Sequence, residues 1–302
     1  MQGIESKAKG ALAGIAIGDA LGATLEFMTR DEILHKYGIH KEIIGGGYWQ
    51  LAPGEVTDDT DMTIAVAKGI IAKPNNPLDQ IAHYFTEWVN TEPKDIGNIC
   101  RLVLTEGIKR GIKKEEDWLE IAEYAHKLSG GRSGGNGSLM RTIPVVLAYF
   151  SDKEKMFEIA YRQSALTHYD HLVGKCVISY CDIVRDILLG GNIKDVILKN
   201  IKNSPFKLDI NLALGHINTS GYVAHTLEAA LNCAYQTESF EQALLMAVNL
   251  GGDTDTIGAV TGGIAGASYG LENIPLRWLD KLIIKNEILF LADQLLSINS
   301  KH

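Results

Sequence analysis

At 302 residues and 46% apolar composition, the chain predicts a soluble globular protein with a sizeable core, in one large domain or at most two. Its formal net charge of −8, with no basic block set against it, argues against non-specific binding to nucleic acid or to an anionic membrane face. Four cysteines without a CxxC pair, and no apolar run near the ~18 residues of a membrane span, argue against a disulfide scaffold, a zinc cluster or a membrane-spanning chain.

In chain order, the first apolar stretch, MQGIESKAKGALAGIAIGDALG, is interrupted by Asp19 and so does not read as a signal peptide; the expected compartment is the cytoplasm. Asp19 and Glu26 stand seven apart, which places them on one helical face if the helix runs unbroken. Glu26, beside Phe27 and Met28, would be partly desolvated on that reading, although taken by itself a solvated or capping glutamate is the better account of it. A break at IGGGYWQLAPG (44–54) precedes TDDTDMTIAVAKGI, where Thr57, Asp58, Asp59, Thr60 and Asp61 run directly into an apolar helical pattern. After KPNNP (73–77), the residues Leu78, Ile81, Ala82, Phe85, Trp88 and Val89 have the spacing of an amphipathic helix.

The glycine-rich SGGRSGGNGS (129–138) has no strand before it, so the Rossmann and P-loop interpretations fail on context; its free N–H groups suit an anion, or it is a surface turn. KCVISYCDIV (175–184) reads as a strand or as one face of a buried helix, and no βαβ spacing occurs anywhere. Further breaks fall at LGGN (189–192) and NSPF (203–206). Leu227, Ala230, Leu231, Ala234 and Tyr235 again show helical spacing. Near the end, NLGGDTDTIGAVTGGIAGA sets Asp253, Thr254, Asp255 and Thr256 at a second helix start. The expected fold class is therefore mainly α.

Either acidic start alone is explained by capping, because Asp and Thr side chains accept from the free N–H groups of a first turn and carboxylates suit the positive end of the helix dipole. One cap needs one oxygen, however, and the two starts supply five carboxylates and four hydroxyls in apolar surroundings. Clustered without compensation, carboxylates repel and their pKa values rise. A pair of hard divalent cations resolves that, and all-oxygen ligands point to Mg²⁺ or Mn²⁺. The surrounding glycines would let two helix backbones approach closely enough for distant carboxylates to share ions.

GALAGIAIGDALGATLEF, GEVTDDTDMT, PKDIGN (93–98), GGNGSLMRTIPV (134–145), LTHYDH (166–171), SGYVAHTLEAAL (220–231) and NLGGDTDTIGAVTGGIAGASYG, in that order, resemble the ADP-ribosylhydrolases. These are the DraG-like proteins that remove ADP-ribose from modified side chains with a dinuclear Mg²⁺ or Mn²⁺ site. The resemblance implies a compact all-helical bundle spanning 1–302 as one domain, with metals at the bottom of a cleft. It implies metal ligands at Thr57, Asp58, Asp59, Asp253, Asp255 and Thr256, a mobile glutamate at Glu26, and an aspartate associated with arginine linkages at Asp95. Asp95 alternatively caps a helix beginning at Ile96.

By the same resemblance Ser133, Gly134, Gly135, Asn136 and Gly137 cradle the diphosphate and ribose without a Lys or Arg clamp, His168 touches the ligand, and Tyr222 lines the cleft. The residues Tyr169, Asp170 and Leu172 depart from the family's THPHP pattern, which bears on the shape around His168 and on any role for His171. The implied reaction is metal-dependent hydrolysis of ADP-ribosyl-arginine in a modified protein, with Glu26 or Asp95 managing the proton and ADP-ribose as the product ligand. Two other readings are cleavage of serine-linked ADP-ribose or O-acetyl-ADP-ribose, and a non-catalytic metal-binding relative. Loss of a metal aspartate would mark the last, and all six positions are intact.

Overall fold

Glycines at every fourth position of the first helix meet glycines at every fourth position of a helix near the other end of the sequence. In the computed structural model, which describes residues 2–203 and 207–299, α1 (Gln2–Gly22) runs through the centre of the molecule. It is followed by α2 (Arg30–Tyr37), α3 (Asp58–Ala72), α4 (Leu78–Val89), α5 (Asn98–Arg110) and α6 (Glu115–Leu128). Next come α7 (Ile143–Tyr149), α8 (Lys153–Ala165), α9 (His171–Leu188) and α10 (Ile193–Asn203). The chain closes with α11 (Val223–Tyr235), α12 (Phe240–Val248), α13 (Thr254–Tyr269), α14 (Leu276–Leu279) and α15 (Lys285–Asn299). Among the described residues there is no strand, only two isolated bridges, Gly46 with Leu51 and Gly135 with Tyr222. The fold is all-α.

A Cβ built on Gly14 would lie 2.1 Å from the carbonyl oxygen of Gly262, and one on Gly18 would lie 2.0 Å from that of Gly258. Gly10 and Gly266 oppose each other in the same way, and Gly22 abuts the backbone of Asp255. No side chain fits there, so α1 and α13 touch backbone to backbone. The contact fixes the start of α13 against the end of α1. Around this pair the apolar faces of the other helices close the core, including Leu12, Ile15 and Ile17 of α1 and Val177, Tyr180 and Val184 of α9.

The ambiguous segment 175–184 is thus helix, buried along one face. The breaks at 44–54, 73–77, 129–138 and 189–192 all fall between helices, and most of 203–206 lies outside the described residues. One expectation is corrected. α1 ends at Gly22 and residues 23–27 turn, so Asp19 and Glu26 do not share a helical face. The carbonyl of Gly22 accepts from the Thr254 hydroxyl at 2.9 Å and from Leu25 N–H at 2.8 Å, which stops the helix. No described helix is long and apolar enough to cross a membrane.

Candidate active site

Both acidic stretches begin helices, and the two beginnings meet. Thr57 is the N-cap of α3 and Asp253 that of α13. The Thr256 hydroxyl donates to Asp59 Oδ2 at 3.2 Å across 197 positions of sequence. Asp58 Oδ2 accepts from Gly97 N–H at 3.1 Å, and Asp253 Oδ2 from Asn136 Nδ2 at 2.6 Å. Glu26, Asp95 and Asp255 each bring a carboxylate oxygen to within 4.8 Å of the others. The side chains expected to handle protons therefore sit among those expected to hold metal.

Three members of the acidic runs turn elsewhere. Asp61 accepts from Trp88 Nε1 at 3.0 Å, Thr254 bonds Gly22 as described, and Thr60 donates to Asp19 Oδ2 at 2.5 Å. Asp19 also accepts from Thr57 N–H at 3.1 Å, Thr57 Oγ1 at 3.0 Å and Thr60 N–H at 3.1 Å. It caps α3 from a different helix, a role no local capping pattern announces.

Burial sets the electrostatics. It raises Asp95 to about 9, with the charge of Asp58 adding to the effect, and Glu26 to about 7 against the opposing hydrogen bond from Trp49. Asp58 rises to about 6 and Asp19 to about 7, again chiefly through burial. Asp59 and Asp255 are pushed well above the ordinary carboxylate range by burial and then by neighbouring carboxylates. Asp59 Oδ1 is buried without a hydrogen-bond partner among the described residues. An orphaned buried oxygen in an all-oxygen cluster held against its own repulsion fits a hard divalent cation.

The cluster forms one wall of a cleft of about 670 Å³. Adjoining it is the glycine loop, held by Asn136 N–H to Gly221 O at 3.1 Å and Val223 N–H to Gly134 O at 3.0 Å, so it is a tied cradle and not a loose turn. The N–H groups of Gly135 and Gly137 have no acceptor among the described residues. A Cβ on Gly135 would stand 3.3 Å from His168 Nε2, and one on Gly137 3.1 Å from His168 Cε1, so the imidazole packs directly under the loop. His168 is buried and its pKa falls to about 3, first by burial and then through the Arg141 cation, so it is neutral. Arg141, fully buried over the Phe85 ring, donates to Thr167 Oγ1 at 2.9 Å, and Thr167 Oγ1 is 2.8 Å from His168 Nδ1.

The remaining candidates divide. Gly135, Asn136, Gly137 and His168 line the cleft. Ser133 instead faces His126 Nδ1 at 2.6 Å, and Gly134 lies under the Tyr222 ring, which stacks edge-on with His225. Ser133, Gly134 and Tyr222 are not among the lining residues. The departure from THPHP has a structural outcome: Asp170 caps α9 through Leu172 N–H at 2.8 Å, and His171 turns to the Tyr161 hydroxyl at 3.1 Å. Asp95 caps nothing, because α5 begins at Asn98 with Gly97 as its N-cap.

Sequence reasoning missed four features. Trp49 Nε1 donates to Glu26 Oε2 at 2.5 Å; its only signal was an aromatic residue in the 44–54 break. Arg101 and Arg132 line the cleft, although on sequence alone the ligand's charge falls to loop N–H groups and metals without a Lys or Arg clamp. The Arg141–Thr167 pair has no signal in spacing, and the segment 219–221 enters the cleft only through its contacts with the loop.

The family model for the ADP-ribosylglycohydrolases matches residues 1–301. The chain is 34% identical to the ADP-ribosyl-[dinitrogen reductase] glycohydrolase of Rhodospirillum rubrum, over 94% of this chain and 92% of the relative. It is also 34% identical to the ADP-ribosylarginine hydrolase Tri1 of Serratia proteamaculans, over 96% of this chain and 78% of the relative. The ADP-ribosylhydrolase ARH3 of Mus musculus is 25% identical over 90% of this chain and 86% of its own length. A solved structure described as an ADP-ribosylglycohydrolase-related protein complex superposes with a TM-score of 0.81 at 29% identity, covering 99% of this chain and all of the other.

Proposed function

From the premise that this chain belongs to the ADP-ribosylglycohydrolase family and is a hydrolase of that family, we propose that it releases ADP-ribose from ADP-ribosylated arginine in a modified protein. The observation that carries the reading is the meeting of the two acidic helix starts beside Glu26 and Asp95, under a glycine loop with free N–H groups. Thr57, Asp58, Asp59, Asp253, Asp255 and Thr256 would hold the divalent cations, Mg²⁺ or Mn²⁺, with Glu26 and Asp95 adjoining them. When bound, such ions supply positive charge to a water molecule and to ribose hydroxyls.

The chain's own groups do the rest. The N–H groups of Gly135 and Gly137, without an acceptor among the described residues, would serve the diphosphate, and Arg101 and Arg132 would add positive charge. Neutral His168 offers Nε2 beneath the loop. Trp49 engages Glu26 Oε2, leaving Oε1 to take a proton from the attacking water as its oxygen bonds to the anomeric carbon. The C–N bond to the guanidino nitrogen then breaks, and the proton that Glu26 accepted passes to that nitrogen, which restores the Glu26 carboxylate. Asp95, raised to about 9 by burial and its acidic neighbours, is drawn into its carboxylate form by an adjacent guanidinium, which pairs with a carboxylate through two parallel hydrogen bonds; a serine linkage offers no such cation. The relatives whose printed names specify arginine support the same choice.

The test compares ADP-ribosyl-arginine and ADP-ribosyl-serine peptides with and without Mg²⁺ or Mn²⁺, for wild type and Asp95→Ala. Expected are metal-dependent turnover, a clear preference for arginine, and loss of the arginine rate in the variant while it still binds Mn²⁺. Equal or faster wild-type release from serine defeats the linkage assignment.

A further inference from the structure

A second concavity, of about 1130 Å³, opens on the other side of Glu26 and Phe27, which line it and the cleft alike. Phe27 and Tyr48 stand at its edge with 60% and 67% of their surface exposed. Their rings meet edge-on at 5.0 Å, and Trp49 completes the group at 4.8 Å from Tyr48 and 6.3 Å from Phe27. Phe27 also adopts a φ of +66°, in the left-handed region where residues with a side chain are uncommon. It is pinned there by Phe27 N–H to Gly252 O at 2.9 Å and Gly252 N–H to Met28 O at 2.8 Å. The backbone is thus held in an unfavourable conformation that presents an apolar ring to water, immediately next to a residue of the reaction centre. Backbone of this kind collects at functional sites, and clustered exposed aromatics mark surfaces that another molecule covers.

We propose that this groove, with Phe27 and Tyr48 as its anchors, is the docking surface for the polypeptide flanking the modified side chain of the substrate protein; the inference rests on the function proposed above. Three observations select that occupant. The groove is continuous with the cleft through Glu26 and Phe27, so a chain whose modified residue enters the cleft runs on over the rings. The cleft, and not the groove, is lined by the glycine loop, Arg101 and Arg132, groups suited to an anion, which leaves the groove for the protein part. The volume exceeds the roughly 300–1,000 Å³ of small-molecule pockets, and the walls mix the apolar Met28 and Tyr37 with Asp31, Lys36 and the backbone of Gly45, Gly46 and Gly47, as an extended peptide requires.

The experiment measures kcat and KM on free ADP-ribosyl-arginine and on a peptide of about a dozen residues carrying the same group. Tyr48→Ser, at a residue that lines the groove and not the cleft and leaves the Trp49 to Glu26 hydrogen bond in place, is expected to lower kcat/KM on the peptide about tenfold, through KM, while the free compound is turned over as by wild type. Phe27→Gly removes the ring at a φ that glycine adopts freely, so it is expected to keep or raise Tm and likewise to raise KM for the peptide. Equal losses on both substrates for Tyr48→Ser would mean that the ring contacts ADP-ribose or aligns Glu26, and overturn the proposal; so would unchanged values on both. A wild type active on the free compound but indifferent to the peptide also overturns it. A wild type inactive on both substrates with Mg²⁺ and Mn²⁺ present defeats the proposed function itself, and this inference with it.

Discussion

The strings DTDMTIAV and DTDTIGAV look like two copies of one device, yet the structure uses them two residues out of step. In the first, Thr57 is the N-cap, so Asp59 is the second helical residue and Asp61 the fourth. In the second, Asp253 is the N-cap, and Asp255 is the second helical residue. Asp59 and Asp255 therefore hold the same position along their helices, whereas Asp61 and Asp255, the matching letters, do not. Asp61 faces Trp88 and Asp255 faces Glu26 and Asp95. The first start is closed by Asp19 reaching over from α1, while Asp253 makes no capping bond and instead accepts from Asn136. Position relative to the helix terminus, and not membership of the motif, decides which carboxylate enters the site.

The largest effect should follow from testing that mismatch. Asp255→Ala is expected to cost at least about 100-fold in turnover, since even residues that merely orient metal ligands cost 10–100-fold. Mn²⁺ binding by calorimetry should weaken in parallel. An Asp255→Ala enzyme with wild-type turnover would remove the basis for the assignment.

Next in size is Asp19→Ala, which strips acceptors from two N–H groups and two hydroxyls at the buried start of α3. A loss of about 2–3 kcal/mol in urea unfolding is expected, with weaker Mn²⁺ binding because Asp59 is no longer held. Gly252 and Asp253, tied to other segments, should show unchanged hydrogen exchange, which separates the two starts.

A smaller effect concerns pH. Asp19 and Glu26 are raised to about 7, Asp58 and Asp61 to about 6 and Asp95 to about 9, all above the unfolded range. The folded state then binds more protons than the unfolded one, so stability falls as pH rises through these values. Without divalent ions, Tm should be highest near about pH 4–5, at the unfolded carboxylate range, and decline toward about pH 9. Saturating Mg²⁺ or Mn²⁺ binds the deprotonated carboxylates and should flatten or reverse the slope, adding about 2.7 kcal/mol at 100 times Kd. A metal-free Tm that climbs from pH 6 to 9 would contradict the electrostatics described.

The smallest effect belongs to Asp61→Asn. It leaves an acceptor for Trp88 Nε1 and removes a carboxylate whose pKa burial raises to about 6, so stability should change by less than about 1 kcal/mol and turnover not at all. Any large loss of turnover would show that both acidic runs are used in full.

Much of this was legible in the sequence because its causes are local. Helical periodicity gave α4 and α11, turn residues gave the breaks, and the Asp and Thr runs gave two helix starts with a surplus of oxygen. The glycines of α1 and α13 were readable as sites of close approach, and their four-residue spacing is what aligns them on one face of each helix. The continuous face from Asp19 to Glu26 was misread, because the stop at Gly22 depends on Thr254, 232 residues away.

What the sequence determined by itself is the mainly α class, the positions of its two acidic helix starts and the oxygen-rich chemistry, since each follows from short-range backbone and side-chain preferences. What only the tertiary structure decided is which of those oxygens share one site. Asp19 caps a foreign helix, Asp61 leaves, Trp49 fixes Glu26, and neutral His168 sits beneath the loop with Arg141 behind it. These are contacts between segments tens to hundreds of residues apart, and they exist only because α1 and α13 pack backbone to backbone and bring both acidic starts to the floor of one cleft.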